Sequence, residues 1–176
     1  MIIHIKEAYT DRVPLRSIVI APKIRPTKPV SVINEELLFE VKLALKACLA
    51  YDGVGISANQ IGLKQSFFLI REDENNFKVY FNPKHKVLTT ETQTQKEGCL
   101  SVPGYNLMVP RPLEIKAFWQ EIENGEFVDK EEVRSGMDAR VFLHELDHLN
   151  GSSIIDRSSE LNRAGKREML KNLNQL

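Results

Sequence analysis

The sequence predicts an α+β fold, with antiparallel β-sheets packed around one helix in the C-terminal half. Three observations carry this. Short segments rich in β-branched and aromatic residues cluster mid-chain, helical periodicities flank them, and turn residues rather than crossover helices separate them. The opening stretch, MIIHIKEAYTDRVP, holds His4 and Lys6 inside its short apolar run and does not read as a signal peptide. Pro14 to Pro29 should be extended or looped, because each proline lacks a backbone donor and restricts the residue before it. A helix should start at Asn34, which can cap it. Glu35 and Glu36 suit its positive end, and Leu38, Val41, Leu45 and Leu49 recur at helical spacing. Gly53 and Gly55 should then stop it. SFFLI (66–70), FKVYF (77–81), KHKVL (84–88) and LEIKAFW (113–119) read as strands, with Asn75-Asn76 and Asn82-Pro83 as turns that favour antiparallel pairing. A second helix should run from Ser135 to about Leu149, where Asn150-Gly151 ends it. A third, charged helix is expected over Ser159 to Leu173, with Gly165 as its weak point.

At 176 residues the chain fits a single domain spanning 1–176. Its 24 Lys and Arg balance 24 Asp and Glu, so no basic face argues for DNA binding. An apolar share of 42% is too high for general disorder, and no stretch approaches the ~20 apolar residues of a membrane span. Two cysteines are too few for a disulfide scaffold. A cytoplasmic protein without DNA or membrane partners is expected, with an organelle or a virus-infected host cell as alternative settings.

The sharpest chemical signal is His144-Glu145-Leu146-Asp147-His148. Two histidines four apart lie about one turn apart on one helix face, so both imidazoles can reach one metal ion while Glu145 reaches a water beside it. A catalytic site normally takes a third protein ligand and keeps one position open. The metzincin pattern fails, because Ile154 stands where its third His belongs, although Gly151 is present. Glu168 stands where thermolysin-like proteases carry a Glu, but its KREMLK surroundings read more simply as an exposed helix. Cys99 remains, in Glu97-Gly98-Cys99-Leu100-Ser101 and outside any helical periodicity, whereas Cys48 fits an apolar helix as a small hydrophobe.

GVGISANQ (53–60), EGCLS (97–101) and HELDH (144–148), in that order, resemble the three signature motifs of the peptide deformylases. These are metalloenzymes of protein biosynthesis that remove the N-terminal formyl group from nascent polypeptides. The resemblance spans roughly residues 15–160 and includes VPR (109–111). Two positions depart from it: Ser57 stands where Ala is usual, and Leu143 where Gln commonly precedes the first His.

The resemblance implies that Cys99, His144 and His148 hold one divalent ion per chain. Fe²⁺ is its physiological form, with Zn²⁺, Ni²⁺ or Co²⁺ replacing it in preparations. Ligand type alone would point to zinc. The expected reaction is attack of a metal-bound hydroxide on the formyl carbon, with Glu145 taking the water proton and delivering it to the departing amine. Gln60 and the Leu100 amide would stabilise the oxyanion. Val54 and Gly55 should pair with the peptide as an added strand, and Val54, Met137 and Val141 should wall the methionine pocket. Glu97 is expected beside the substrate and, with Arg111, behind the ligands. Asp147 should pair with Arg111 to fix the helix, Gly53 should permit close approach, and Trp119 belongs in the core. Expected partners are N-formylmethionyl nascent peptides and, transiently, the ribosome. The tail cations Arg157, Arg163, Lys166, Arg167 and Lys171 could touch RNA, although a solvated helix face is the simpler reading. Retention of Glu145, Gln60 and all three ligands argues against a non-catalytic binding module.

Overall fold

A computed structural model describes residues 1–10 and 13–175, so Asp11, Arg12 and Leu176 of the expected span 1–176 lie outside the described residues. Its elements are β1 (Ile2–His4), α1 (Glu35–Ala50), β2 (Gly55–Ser57), β3 (Phe67–Arg71), β4 (Asn76–Val87), β5 (Thr92–Gly98) and β6 (Asn106–Pro112). They continue with β7 (Glu114–Glu123), β8 (Glu126–Ser135), α2 (Gly136–Leu149), α3 (Ile154–Arg157) and α4 (Arg163–Leu173). Strands β2-β3-β4-β7-β8 form one sheet with β1 added against β4, and β5-β6 form a separate hairpin. Every pairing between these strands is antiparallel, which agrees with the predicted class.

Alternation along β3 sets the layers. Phe67 and Leu69 join the core beneath α1, with Val41, Leu45, Cys48, Val79 and Phe81. Phe68 and Ile70 point the other way and join Tyr80, Trp119, Phe142, Leu143 and Leu146 beneath α2. A third cluster, including Val102, Leu107, Val109, Ile154 and Leu173, ties the β5-β6 hairpin to the C-terminal helices. Leu143 therefore serves packing, which accounts for an apolar residue beside His144. Among the described residues no helix is long and apolar enough to cross a membrane.

Several local expectations are corrected. Asn34 does cap α1, accepting a hydrogen bond from the Leu37 amide at 2.8 Å, but the left-handed residue at the other end is Asp52 at φ 53°. Gly53 and Gly55 have no positive φ, and each is needed for want of a side chain. A Cβ on Gly53 would lie 2.9 Å from the Cys48 sulfur, and one on Gly55 would lie 2.7 Å from Glu145 Oε1. FKVYF and KHKVL form one strand, β4, because Asn82 makes a bulge there rather than a turn. Its amide donates to Gln120 Oε1 and the Val30 carbonyl and accepts from the Val30 amide, each at 2.7 Å, which secures the left-handed backbone at φ 48°. The expected helix over 159–173 starts later. Asn162 caps α4 through the Gly165 amide at 2.9 Å, so Gly165 falls in the first turn. Strands β5 and β8 escaped the sequence reading because TQTQKEG and EFVDKEEVRS are largely exposed and lack an apolar alternation.

Candidate metal centre

Helix α2 follows directly from β8, turning at Gly136 (φ 55°), and ends before Gly151 (φ 80°). Its inner face is packed on Phe68 and Tyr80, which fixes how His144 and His148 project. His144 Nδ1 donates to Glu97 Oε2 at 2.9 Å, and His148 Nδ1 donates to the Ser152 carbonyl at 3.0 Å. Both Nε2 atoms thereby face the site as the nitrogens that would bind an ion, and they sit 3.3 Å apart. Cys99, just beyond the end of β5, brings its sulfur to 3.2 Å from His148 Nε2. All three ligand atoms lie within 4.8 Å of one another. One thiolate and two oriented imidazoles form a donor set that fits a divalent transition-metal ion with a fourth position open.

The electrostatics agree. Burial alone would raise the Cys99 thiol, but His148 and hydrogen bonds from His144 and His148 outweigh it and draw the thiol down to about 5. Burial opposes the His144 cation, but Cys99 and Glu97 outweigh that and raise it to about 10. Glu145 is buried, and that burial raises its carboxyl above the usual range, against the pull of His144, His148 and the Ser57 hydroxyl.

Glu97 was expected beside the substrate as well as behind the ligands. It borders the cavity, but its carboxylate is directed inward. Its oxygens accept from Arg111 Nε and Nη2 at 2.8 and 2.9 Å, from Arg140 Nη1 at 2.6 Å and from His144. Burial disfavours its charge, yet Arg111 and His144 outweigh that and hold it well below the carboxylate range. Arg111 Nη1 also meets Asp147 at 2.6 Å, the pair anticipated from sequence. Arg157, grouped with the tail cations, lies instead on Asp147 at 2.7 Å.

Two supporting residues were missed. Arg140 holds the Val109 and Gln93 carbonyls at 2.9 and 2.5 Å as well as Glu97, and Asn59 donates to the His148 carbonyl and to Arg25 O. Arg140 stands one helical turn before His144, a spacing that could have revealed it. Glu168 is exposed on α4 and takes no part in the cluster.

Gln60 sits in the 3-10 segment Ala58–Ile61. Its Oε1 accepts from the Ser57 amide at 2.9 Å, so its amino group faces Ser101 Oγ at 3.1 Å and the Cys99 sulfur at 3.9 Å. A cavity of about 570 Å³ opens over the ligands, lined by Val54, Gly55, Leu100, Met137 and Val141 among others. Val54 and Met137 are 60% and 59% exposed, so they border its mouth rather than wall its interior. Beside them, β2 is the terminal strand of the large sheet.

The family model for polypeptide deformylase matches residues 15–164. The peptide deformylase of Thermotoga petrophila is 40% identical over 144 residues, covering 81% of this chain and 85% of that protein. Among solved structures, a Synechococcus elongatus peptide deformylase in complex with actinonin superposes with a TM-score of 0.77 at 30% identity, covering 93% of this chain and 90% of that one. A Plasmodium falciparum peptide deformylase in complex with an inhibitor gives 0.79 at 26% identity, covering 91% and 100%.

Proposed function

The chain belongs to the polypeptide deformylase family, and from that membership we propose which of its residues carry the reaction. It is a metal-dependent hydrolase that removes the N-terminal formyl group from nascent polypeptides. The observation that supports our assignment is the convergence of Cys99, His144 and His148 next to buried Glu145 under one cavity.

Cys99, His144 and His148 hold the ion, and Fe²⁺ is the proposed physiological species. Bound there, the ion would supply Lewis acidity toward the formyl oxygen and acidify the attacking water. Glu145 accepts the proton of that water and delivers it to the departing α-amine, which otherwise would have to leave as an amide anion. Gln60 and the Leu100 amide donate to the oxygen that becomes negative as the formyl carbon turns tetrahedral. The open edge of β2 supports strand-like pairing of the peptide with Val54 and Gly55. Val141 receives the methionine side chain, with Val54 and Met137 at the rim. Glu97, Arg111 and Asp147 keep α2 and the His144 ring in register. The cytoplasm is the proposed setting, where exposed Arg167 and Lys171 of α4 offer a transient contact to the ribosome.

The test is anaerobic purification with metal analysis, followed by hydrolysis of formyl-Met-Ala-Ser. Release of formate in proportion to bound iron supports the reading. Cleavage at an internal peptide bond in place of formate release overturns it.

A further inference from the structure

Ser57 is fully buried at the end of β2 and touches both groups assigned to proton transfer and oxyanion binding. Its backbone N–H donates to Gln60 Oε1, while its hydroxyl lies 2.7 Å from Glu145 Oε2 and 2.8 Å from the Glu145 carbonyl. A hydroxyl has one proton, so it serves one of these acceptors at a time, and the carboxylate is the stronger. Glu145 Oε1 lies close over the bare Cα of Gly55, since a Cβ built there would come within 2.7 Å of it. The carboxylate is thus held on one side by a donor and confined on the other by backbone.

We propose that Ser57 is a positioning residue for the deformylation reaction: its hydroxyl holds Oε2 of Glu145, leaving Oε1 as the oxygen that exchanges protons with water and amine. This rests on the reading of Glu145 as proton carrier and deepens it. A glutamate side chain has several rotatable bonds, so without the tether its carboxylate samples orientations that do not reach the reacting water. The rival role for the same hydroxyl is a structural tie from β2 to the α2 backbone through the Glu145 carbonyl.

The experiment compares the metal-loaded full chain with Ser57→Ala, Ser57→Thr, Glu145→Gln and the Ser57→Ala/Glu145→Gln double variant on formyl-Met-Ala-Ser. Ser57→Ala removes only the hydroxyl and keeps the amide that orients Gln60. It should lower kcat roughly tenfold, the size expected for one hydrogen bond to a charged group, with KM within about twofold and full metal content. Ser57→Thr keeps the hydroxyl and should recover most of the rate. In the Glu145→Gln background the loss of the hydroxyl should cost nothing further, because no proton carrier remains to be positioned. Full kcat in Ser57→Ala, an effect on KM alone, loss of metal in step with activity, or an equal further loss in the double variant each overturns the proposal. Parent-like turnover by Glu145→Gln would overturn the assignment of Glu145 itself, and with it the role of Ser57, whereas failure of the parent to release formate would overturn the reaction.

Discussion

Single atoms decide the chemistry at this centre, and two substitutions isolate them. Cys99→Ser replaces a thiolate near 3.2 Å from His148 Nε2 by a hydroxyl that resists deprotonation, so metal retention should fall sharply while the fold survives. Metal analysis together with circular dichroism checks this, and stoichiometric metal in the variant would remove Cys99 from the site. Gln60→Leu keeps the volume but deletes the amide donors. Since the lost hydrogen bond strengthens only as the oxyanion forms, kcat should drop about 10²–10³-fold with KM little changed. A rise in KM at constant kcat would make Gln60 a substrate-positioning residue. A third expectation concerns protons. With Cys99 drawn down to about 5 and His144 raised to about 10, the metal-free site at pH 7.5 carries a thiolate and a protonated His144. Metal entry must then expel the His144 proton, so affinity should rise with pH until that imidazole is neutral. Calorimetry in buffers of different ionisation enthalpy measures the release, and zero net release at pH 7.5 would show that both imidazoles are already neutral.

At the scale of elements, strand β2 and helix α2 are spaced by glycine. Gly55→Ala would press a methyl against Glu145 Oε1, which has nowhere to go while Ser57 holds Oε2. The expected result is a loss of kcat with metal retained, read by steady-state kinetics on the metal-loaded enzyme, and unchanged kcat would show that the carboxylate moves freely. The same reasoning separates two kinds of glycine. Gly151 ends α2 at φ 80° and faces Pro26, whereas Gly53 and Gly55 have ordinary backbone and are constrained only by what approaches them. Sequence marks a glycine but not which of these demands it meets. In the same way Asn82-Pro83 carries a turn signature, yet pairing of both flanking segments with β7 makes it a bulge.

For the molecule as a whole, an ionic chain runs from exposed Arg157 through buried Asp147, Arg111 and Glu97 to buried Arg140 and joins the β5-β6 hairpin to α2. That chain brings Cys99, on one piece, to the two histidines, on the other. Arg111→Met would leave Glu97 and Asp147 buried with one partner fewer each. Removing one member of such a network typically costs about 3–5 kcal/mol, so thermal unfolding should shift down markedly, with metal affinity weakened because His144 loses its aligned acceptor. Denaturant titration of the metal-free and metal-loaded forms reads both effects, and an unchanged midpoint would mean that Arg140 and Arg157 carry the network without it.

The sequence by itself determined the α+β class, the capped helix from Asn34 and the helix that sets His144 and His148 one turn apart. These features are local: a period, a cap or a pair of imidazoles one turn apart is written in neighbouring residues. The Arg111–Asp147 pair was also legible, because opposite charges in motif positions seek each other once burial is assumed. Tertiary structure alone decided the rest. It turned Glu97 inward to His144, recruited Arg140 and Asn59 as supports, moved Arg157 from the tail to Asp147, and set Ser57 against Glu145. Each of these contacts joins residues at least ten positions apart, on elements whose approach is fixed by packing on the two faces of the sheet. Hydrogen bonds between such groups have no local periodicity to announce them. They exist because burial leaves each polar atom dependent on whatever partner the fold delivers.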